Sequence, residues 1–245
     1  MIAQNGTCGL IAYLTCGVPS NDATVEIALD LERAGAIAIE LGVPFSDPIA
    51  DGPVIQSASQ QALARGTTIE DVLAAARSIR ARSAIPLIAF SYLNPLLRYG
   101  IDRFATNARS AGFDAVLITD LPPEDAGAIR SVIRENNMHL IFLLAPTSTA
   151  KRIAMVDRMT TAFIYYVSTT GVTGDRRELD ATLVERLRDL RPKISHALAV
   201  GFGISGREHY RALAPFCDAV VVGSAIMRAI DEGRHPGDVV RAILE

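Results

Sequence analysis

Glu40 is the side chain with the clearest potential for chemistry in this sequence. It lies near the end of Ala36–Leu41, a short apolar run typical of a β-strand. Because side chains alternate along a strand, Glu40 points away from the bulky residues of the run. We expect those bulky residues to pack against helices: Ile37, Ile39 and Leu41. Burying a carboxyl inside a barrel costs free energy, which favours a catalytic or binding role for this acid. The alternative is a structural glutamate held by backbone hydrogen-bond donors.

A second acid, Asp51, follows Glu40 by eleven residues. The intervening segment is rich in Pro, Gly and Asp and is longer than an ordinary strand-to-helix connection, as binding loops and lids often are. Such a loop could fold Asp51 back towards Glu40. Residue type alone supports an ordinary role in a turn or helix cap equally well.

Two glycine-containing segments predict an anion site. Residues 201–205 read GFGIS and residues 223–225 read GSA, and each segment follows an apolar run. Glycines let backbone N–H groups approach a phosphate closely, and a helix N-terminus favours an anion. A third segment, Gly171–Gly174, suits a loop that closes over the phosphate, with an ordinary surface loop as the alternative.

Histidine and lysine side chains fall outside the carboxyl ends of the predicted strands, and the cysteines show no metal-binding pattern. The histidines precede strands, lie on a helix or stand near the C-terminus: His139, His196, His209 and His235. Neither Lys151 nor Lys193 is placed to form a Schiff base. Cys8, Cys16 and Cys217 lack metal-ligand spacing, so we expect reduced thiols and neither a metal site nor a disulfide framework.

Eight short apolar runs alternate with amphipathic stretches along the 245 residues. The runs are Leu10–Thr15, Ala36–Leu41, Pro86–Phe90, Ala115–Ile118, His139–Leu144, Phe163–Val167, Leu198–Val200 and Ala219–Val222. Eight strands with intervening helices predict an α/β fold, one (β/α)8 TIM barrel domain over residues 1–245. An open, doubly wound sheet is the alternative. In a barrel the active groups lie at the carboxyl ends of the strands, where the residues above fall.

Composition narrows the range of partners. The formal net charge is −3, and no basic cluster alternates with aromatic residues, which argues against nucleic-acid binding. No apolar run is long enough to span a bilayer, and the first residues do not resemble a secretion signal. We therefore expect a cytoplasmic protein whose partners are small molecules or other proteins.

Several sequence blocks together resemble the tryptophan synthase alpha subunit family. They are ELGVPFSDP at residues 40–48 with its continuation to Gln56, GVTG at 171–174, GFGIS at 201–205 and GSAI at 223–226. The resemblance extends from about Leu10 almost to the C-terminus. It implies retro-aldol cleavage of indole-3-glycerol phosphate to indole and glyceraldehyde 3-phosphate, a lyase step of tryptophan biosynthesis.

The resemblance also implies residue roles. Glu40 would shuttle a proton between the glycerol hydroxyl and indole C3, and Asp51 would accept the indole N–H and stabilise positive charge. The family's indole pocket corresponds to Tyr13, Phe90, Tyr92, Leu117, Leu143 and Tyr165. Its phosphate site corresponds to Gly174, Gly203, Gly223 and Ser224, with Thr173 in the closing loop. Without a Schiff base or metal, the protonated indole would serve as the electron sink.

The same resemblance implies a partner that carries the cofactor. The family's alpha subunit docks on a beta subunit in an α2β2 assembly, and Asp47, Pro48 and Asn94 match positions on the docking side. Pyridoxal phosphate is expected only in that partner, with no cofactor in this chain. Met1–Gly9 is too short for the family's N-terminal helix, which predicts a reduced cap on the barrel floor.

Other functions remain open from the sequence. Within the family, the chain could act as a stand-alone indole-3-glycerol-phosphate lyase or as a poorly active paralogue with a regulatory or binding role. Outside it, a phosphosugar isomerase or epimerase could use the same barrel. The lack of a suitably placed histidine disfavours that last alternative.

Overall fold

The protein is a closed barrel of eight parallel strands. The computed structural model describes residues 8–167, 181–201, 204 and 206–245. The strands are β1 (Gly9–Thr15), β2 (Ala38–Gly42), β3 (Leu87–Ser91), β4 (Ala115–Ile118), β5 (His139–Leu144), β6 (Phe163–Val167), β7 (Ala197–Gly201) and β8 (Ala219–Val222). They follow each other around the barrel in chain order, and β8 pairs with β1. The predicted barrel is confirmed.

Helices surround the barrel. Within the described residues they are α1 (Asn21–Arg33), α2 (Pro53–Ala64), α3 (Ile69–Arg80), α4 (Leu93–Tyr99), α5 (Ile101–Ala111), α6 (Gly127–Glu135), α7 (Ala150–Met159), α8 (Ala181–Leu190), α9 (Arg207–Leu213), α10 (Ser224–Asp231) and α11 (Pro236–Leu244). Among these helices none is long and apolar enough to cross a membrane.

Local sequence fixes several helix ends. At the start of α3, Thr68 and Asp71 form a reciprocal capping box, which satisfies two otherwise unpaired backbone N–H groups. Gly112 ends α5 with a φ of 99°, a left-handed conformation that glycine adopts without steric cost. Gly112 thus turns the chain from α5 into β4, which begins at Ala115.

The expected position of Ile37 is wrong. It lies before the first residue of β2, Ala38, and its side chain is 37% exposed beside Gly9 instead of buried under a helix. Strand alternation holds only within a strand, and residues 36–37 still belong to the connection from α1. The other two residues of that set, Ile39 and Leu41, are fully buried as expected.

Candidate active site

Strand register places Glu40 inside the barrel. Its Cα is paired with Tyr13 on β1 and with Ile88 on β3. Paired residues of neighbouring strands project from the same face of a sheet, so all three side chains share one face. Glu40 is also fully buried. The inward orientation expected from strand alternation is therefore borne out.

Following the same register around the barrel brings the predicted pocket together. Gly42 pairs with Phe90, and Phe90 in turn with Leu117. Residues two positions apart share a face, and five residues of the expected pocket fall on the inward face with Glu40. They are Tyr13, Phe90, Leu117, Leu143 and Tyr165. All are apolar or aromatic, as a flat heteroaromatic ligand requires.

The environment of Glu40 favours its neutral form. Neither carboxyl oxygen has a hydrogen-bond partner among the described residues. Burial removes water from the charged form and raises the pKa of Glu40 from 4.5 to about 8. At neutral pH the side chain therefore holds a proton inside the barrel. A protonated acid without a protein partner is available as a proton donor to a ligand.

Two inward tyrosines lean over glycines of neighbouring strands. A methyl group added at Gly42 would lie 2.3 Å from the Tyr13 Oη, and one added at Gly201 would lie 2.1 Å from the Tyr165 Oη. The last residue of β2 and of β7 must therefore be glycine for the phenol rings to fit. Burial is the main cause of the raised pKa of Tyr13, and the nearby charges of Asp51 and Glu40 add to it. The two acids therefore border the same space.

Aromatic rings line this space. Tyr13 and Phe90 meet edge to face, with ring centroids 5.1 Å apart. Phe45, in the loop after β2, lies against Tyr92 with centroids 5.2 Å apart. Phe45 was given no role from the sequence, although it stands in the ELGVPFSDP block. Aromatic faces and edges of this kind bind a planar ring without requiring a charge.

The loop after β2 holds Asp51 at the mouth of the barrel. Helix α2 begins directly after it, with Gly52 as N-cap and Pro53 in the first turn. The Gln56 side chain donates to the Asp51 backbone carbonyl at 2.9 Å. The Tyr92 hydroxyl donates to Asp51 Oδ2 at 3.1 Å and accepts from the Ala50 N–H at 2.9 Å. Asp51 is thus a buried carboxylate in a fixed loop, not an exposed turn residue.

The two acids titrate in different ranges. Burial raises the pKa of Asp51 from 3.8 to about 6, while the hydrogen bond from Tyr92 opposes that rise. Glu40, which is buried without such a bond, has a pKa of about 8. Near pH 7, therefore, Asp51 is mostly ionised and Glu40 mostly protonated. Acids whose environments separate their pKa values in this way can serve as acceptor and donor in one site.

The N-terminus of α10 reaches the same end of the barrel. Gly223 is its N-cap and Ser224 its first residue, directly after β8. A methyl group at Gly223 would lie 3.2 Å from Tyr13 Cδ1, so this helix start borders the aromatic pocket. The first turn of a helix presents unpaired N–H groups and attracts anions. The predicted phosphate positions Gly174 and Gly203, and Thr173 of the closing loop, lie outside the described residues.

The histidines and lysines lie away from the carboxyl ends of the described strands, as expected, although His139 belongs to β5 instead of preceding it. His139 is the first residue of β5, His209 is on α9, and Lys151 is on α7. His196 lies 3.0 Å from Asp157, just before β7. Across the described part of the chain, no group of three or more His, Cys, Asp or Glu residues could hold a metal ion. The carboxyl ends of the described strands therefore present acids and aromatic rings.

Replacing Tyr92 with Phe tests whether its hydroxyl positions Asp51. We expect kcat for the reaction at this site to fall about 10-fold to 100-fold, the equivalent of one hydrogen bond to a charged group. KM should change little, because the ring remains. Steady-state kinetics of Tyr92→Phe measures both constants. Tyr99→Phe, which removes a phenol hydroxyl bonded to Glu70 on the outer helices, is the matched control. An unchanged kcat in Tyr92→Phe would limit Tyr92 to the pocket wall.

Glu40 should also make the free energy of unfolding depend on pH. Below about pH 4.5 the carboxyl is protonated in both folded and unfolded chains. As pH rises towards about 8, the folded chain retains a proton that the unfolded chain loses, so the free energy of unfolding falls. The uncharged Glu40→Gln variant escapes this loss, which is on the order of a few kcal/mol. Its Tm should exceed that of the unsubstituted protein by a margin that grows from pH 5 to pH 8.5. A margin independent of pH would contradict the buried, neutral acid.

The chain is similar to known proteins along almost its whole length. The family model of the tryptophan synthase alpha chain matches residues 1–243. The tryptophan synthase alpha chain of Solibacter usitatus is 50% identical over 91% of this chain and 84% of its own. That of Geotalea daltonii is 43% identical over 94% and 88%. Among solved structures, the tryptophan synthase alpha subunit of Pyrococcus furiosus superposes with a TM-score of 0.90 at 37% identity, over 98% of both chains. A Pyrococcus furiosus tryptophan synthase a2b2 complex gives a TM-score of 0.89 at 36% identity over the same shares.

Proposed function

Because the chain belongs to the tryptophan synthase alpha chain family, a family of lyases in tryptophan biosynthesis, we propose that Glu40 and Asp51 cleave indole-3-glycerol phosphate in this barrel. The observation that carries the assignment is Glu40 itself. It is fully buried among inward aromatic side chains and has no hydrogen-bond partner among the described residues. Glu40 performs the proton transfers, and Asp51 stabilises the positive charge that they create.

The first step uses the two acids in their neutral-pH states. Protonated Glu40 donates its proton to indole C3, which makes the ring a cation with its charge centred on nitrogen. Asp51, ionised and held by Tyr92, accepts the indole N–H and stabilises that charge. A carboxylate fixed in a buried site before the charge develops need not reorganise during the reaction.

The second step returns the proton. The glycerol hydroxyl gives its proton to the Glu40 carboxylate while the bond between C3 and the glycerol carbon breaks. The electrons of that bond restore the neutral indole, and the alcohol carbon becomes the aldehyde of glyceraldehyde 3-phosphate. Glu40 is then protonated again, so one acid completes the cycle without an external proton.

The remaining residues bind the two ends of the substrate. The indole ring lies among the inward residues and Tyr92, and the phosphate lies at the N-terminus of α10 against Gly223 and Ser224. We assign Gly174, Gly203 and Thr173 to the same phosphate site from the family alone. Gly223 lies next to Tyr13, so the Tyr13 side chain stands between the phosphate site and the indole site.

Docking of a beta subunit completes the proposed assembly. Asp47 and Pro48 lie in the loop that carries Asp51, and Asn94 lies in the first turn of α4, after β3. Apolar side chains are exposed there, Ile49 to 85% and Leu97 to 54%. An open cleft of about 610 Å³ lies between this loop and α4, lined in part by Asp47 and Asn94. Pyridoxal phosphate is assigned to the beta subunit alone. The cytoplasmic location stays a prediction.

The proposed function is tested by assaying indole release from indole-3-glycerol phosphate, with and without the cognate beta subunit. We expect measurable indole from the chain alone and a strong increase when the beta subunit is added. High activity that the beta subunit leaves unchanged would identify a stand-alone lyase. Absence of indole under both conditions would contradict the lyase assignment and favour a poorly active paralogue.

A further inference from the structure

Two buried thiols meet at the floor of the barrel, at the end opposite the active site. Cys8 immediately precedes β1, and Cys217 lies two residues before β8. Their sulfur atoms are 3.7 Å apart, although the residues are 209 positions apart in the chain. The side chains are 6% and 8% exposed. Nothing in the lyase mechanism uses them.

The surrounding backbone holds the pair in place. Strands β1 and β8 are hydrogen-bonded neighbours, and the Gly9 N–H donates to the Asp218 carbonyl at 2.9 Å. The Tyr210 hydroxyl donates to the Cys8 carbonyl at 2.6 Å. Cys8 and Cys217 stand one and two residues before the paired residues Gly9 and Ala219, and their sulfur atoms approach to 3.7 Å. Because a disulfide bond is about 2.05 Å long, the two side chains and the adjoining backbone must move closer together for the bond to form.

We propose that Cys8 and Cys217 form a thiol pair that peroxide oxidises to an intramolecular disulfide. This bond covalently links the segments that lead into β1 and β8, the two strands that close the barrel. In the first step the Cys8 sulfur attacks hydrogen peroxide; a sulfur–oxygen bond forms, the oxygen–oxygen bond breaks, and water leaves. In the second step the Cys217 sulfur attacks the Cys8 sulfenic acid, a disulfide forms, and a second water leaves. Two thiols are oxidised and one peroxide is reduced.

The local electrostatics suit this order of attack. The contact between the two sulfurs lowers the pKa of Cys8 and raises that of Cys217. Cys8 is therefore the more easily ionised sulfur and the better first nucleophile. The third thiol, Cys16, is fully buried, and burial raises its pKa to about 12. It stands just beyond the other end of β1, so it provides an internal control.

The test is to expose the full chain to hydrogen peroxide, alkylate the remaining thiols after unfolding, and map the peptides by mass spectrometry. Chymotrypsin is needed because no lysine or arginine separates Cys8 from Cys16, whereas Tyr13 does. We expect a peptide pair joined through Cys8 and Cys217, with a loss of two hydrogens, and an alkylated Cys16. The cross-link should persist in Cys16→Ala and disappear in Cys217→Ala.

The melting temperature and the rate of indole release distinguish this disulfide from general oxidation. The cross-linked chain should melt at least about 5 °C higher than the reduced chain, because the bond closes a very long loop, and a reducing agent should reverse the shift. Indole release should be unchanged, since the thiols lie at the opposite end of the barrel. Alkylated Cys8 and Cys217 after peroxide treatment, sulfinic acid without a cross-link, or a cross-link that leaves Tm unchanged would each overturn the proposal.

Discussion

Glu40→Gln lowers kcat for indole release by about 10³-fold or more, the largest effect we expect from any single substitution in this chain. The glutamine has nearly the same shape, so it should fit the buried position. Its amide can neither donate a proton to indole C3 nor accept one from the glycerol hydroxyl. Because both transfers use the same group, the loss should lie at the upper end of the range for general acid–base catalysis.

Thermal unfolding separates this loss from misfolding. The variant should be inactive and yet more stable than the unsubstituted protein at pH 8, because it no longer buries a group that ionises in that range. Glu26→Gln, which alters an exposed carboxylate paired with Arg82, is the control and should retain full activity. Glu40→Gln with more than about one tenth of the original kcat would refute the proton-shuttle role.

Asp51→Asn is expected to lower kcat by about 10²-fold to 10³-fold while KM stays within a few-fold. The asparagine oxygen can still accept the hydrogen bond that Tyr92 donates to Asp51 Oδ2, so the loop should keep its position. The negative charge that stabilises the indole cation is lost. Because that charge matters most after the ring is protonated, the effect should fall on the rate and not on binding.

The control for this substitution is Asp102→Asn, an exposed change in the first turn of α5. Both variants are assayed over a full range of substrate concentration, so that kcat and KM are determined separately. A large rise in KM with an unchanged kcat in Asp51→Asn would make Asp51 a substrate-binding residue and leave Glu40 as the only catalytic acid.

Strand patterns in the sequence predicted the barrel and the direction of Glu40, because both depend on local alternation within buried strands. The expected pocket residues on the strands share one inward face in the structure. The error at Ile37 has the same basis, since alternation was applied two residues before β2 begins.

Strand patterns could not predict contacts between segments that are distant in the sequence. Tyr92 was identified as a pocket residue, but its hydrogen bond to Asp51 depends on how the loop after β2 folds against β3. The glycines beneath Tyr13 and Tyr165 are another case, because each fits a ring that comes from a neighbouring strand. The meeting of Cys8 with Cys217 likewise follows from closure of the barrel, whereas sequence spacing suggested only separate reduced thiols.

The central claim is that Glu40 is held neutral inside the barrel at physiological pH. It is tested most directly by a 13C NMR titration of protein labelled at the side-chain carboxyl carbon of glutamate. The Glu40 resonance is identified by its absence from Glu40→Gln. We predict a titration midpoint near pH 8. A midpoint near 4.5, the ordinary value for glutamate, would contradict the claim.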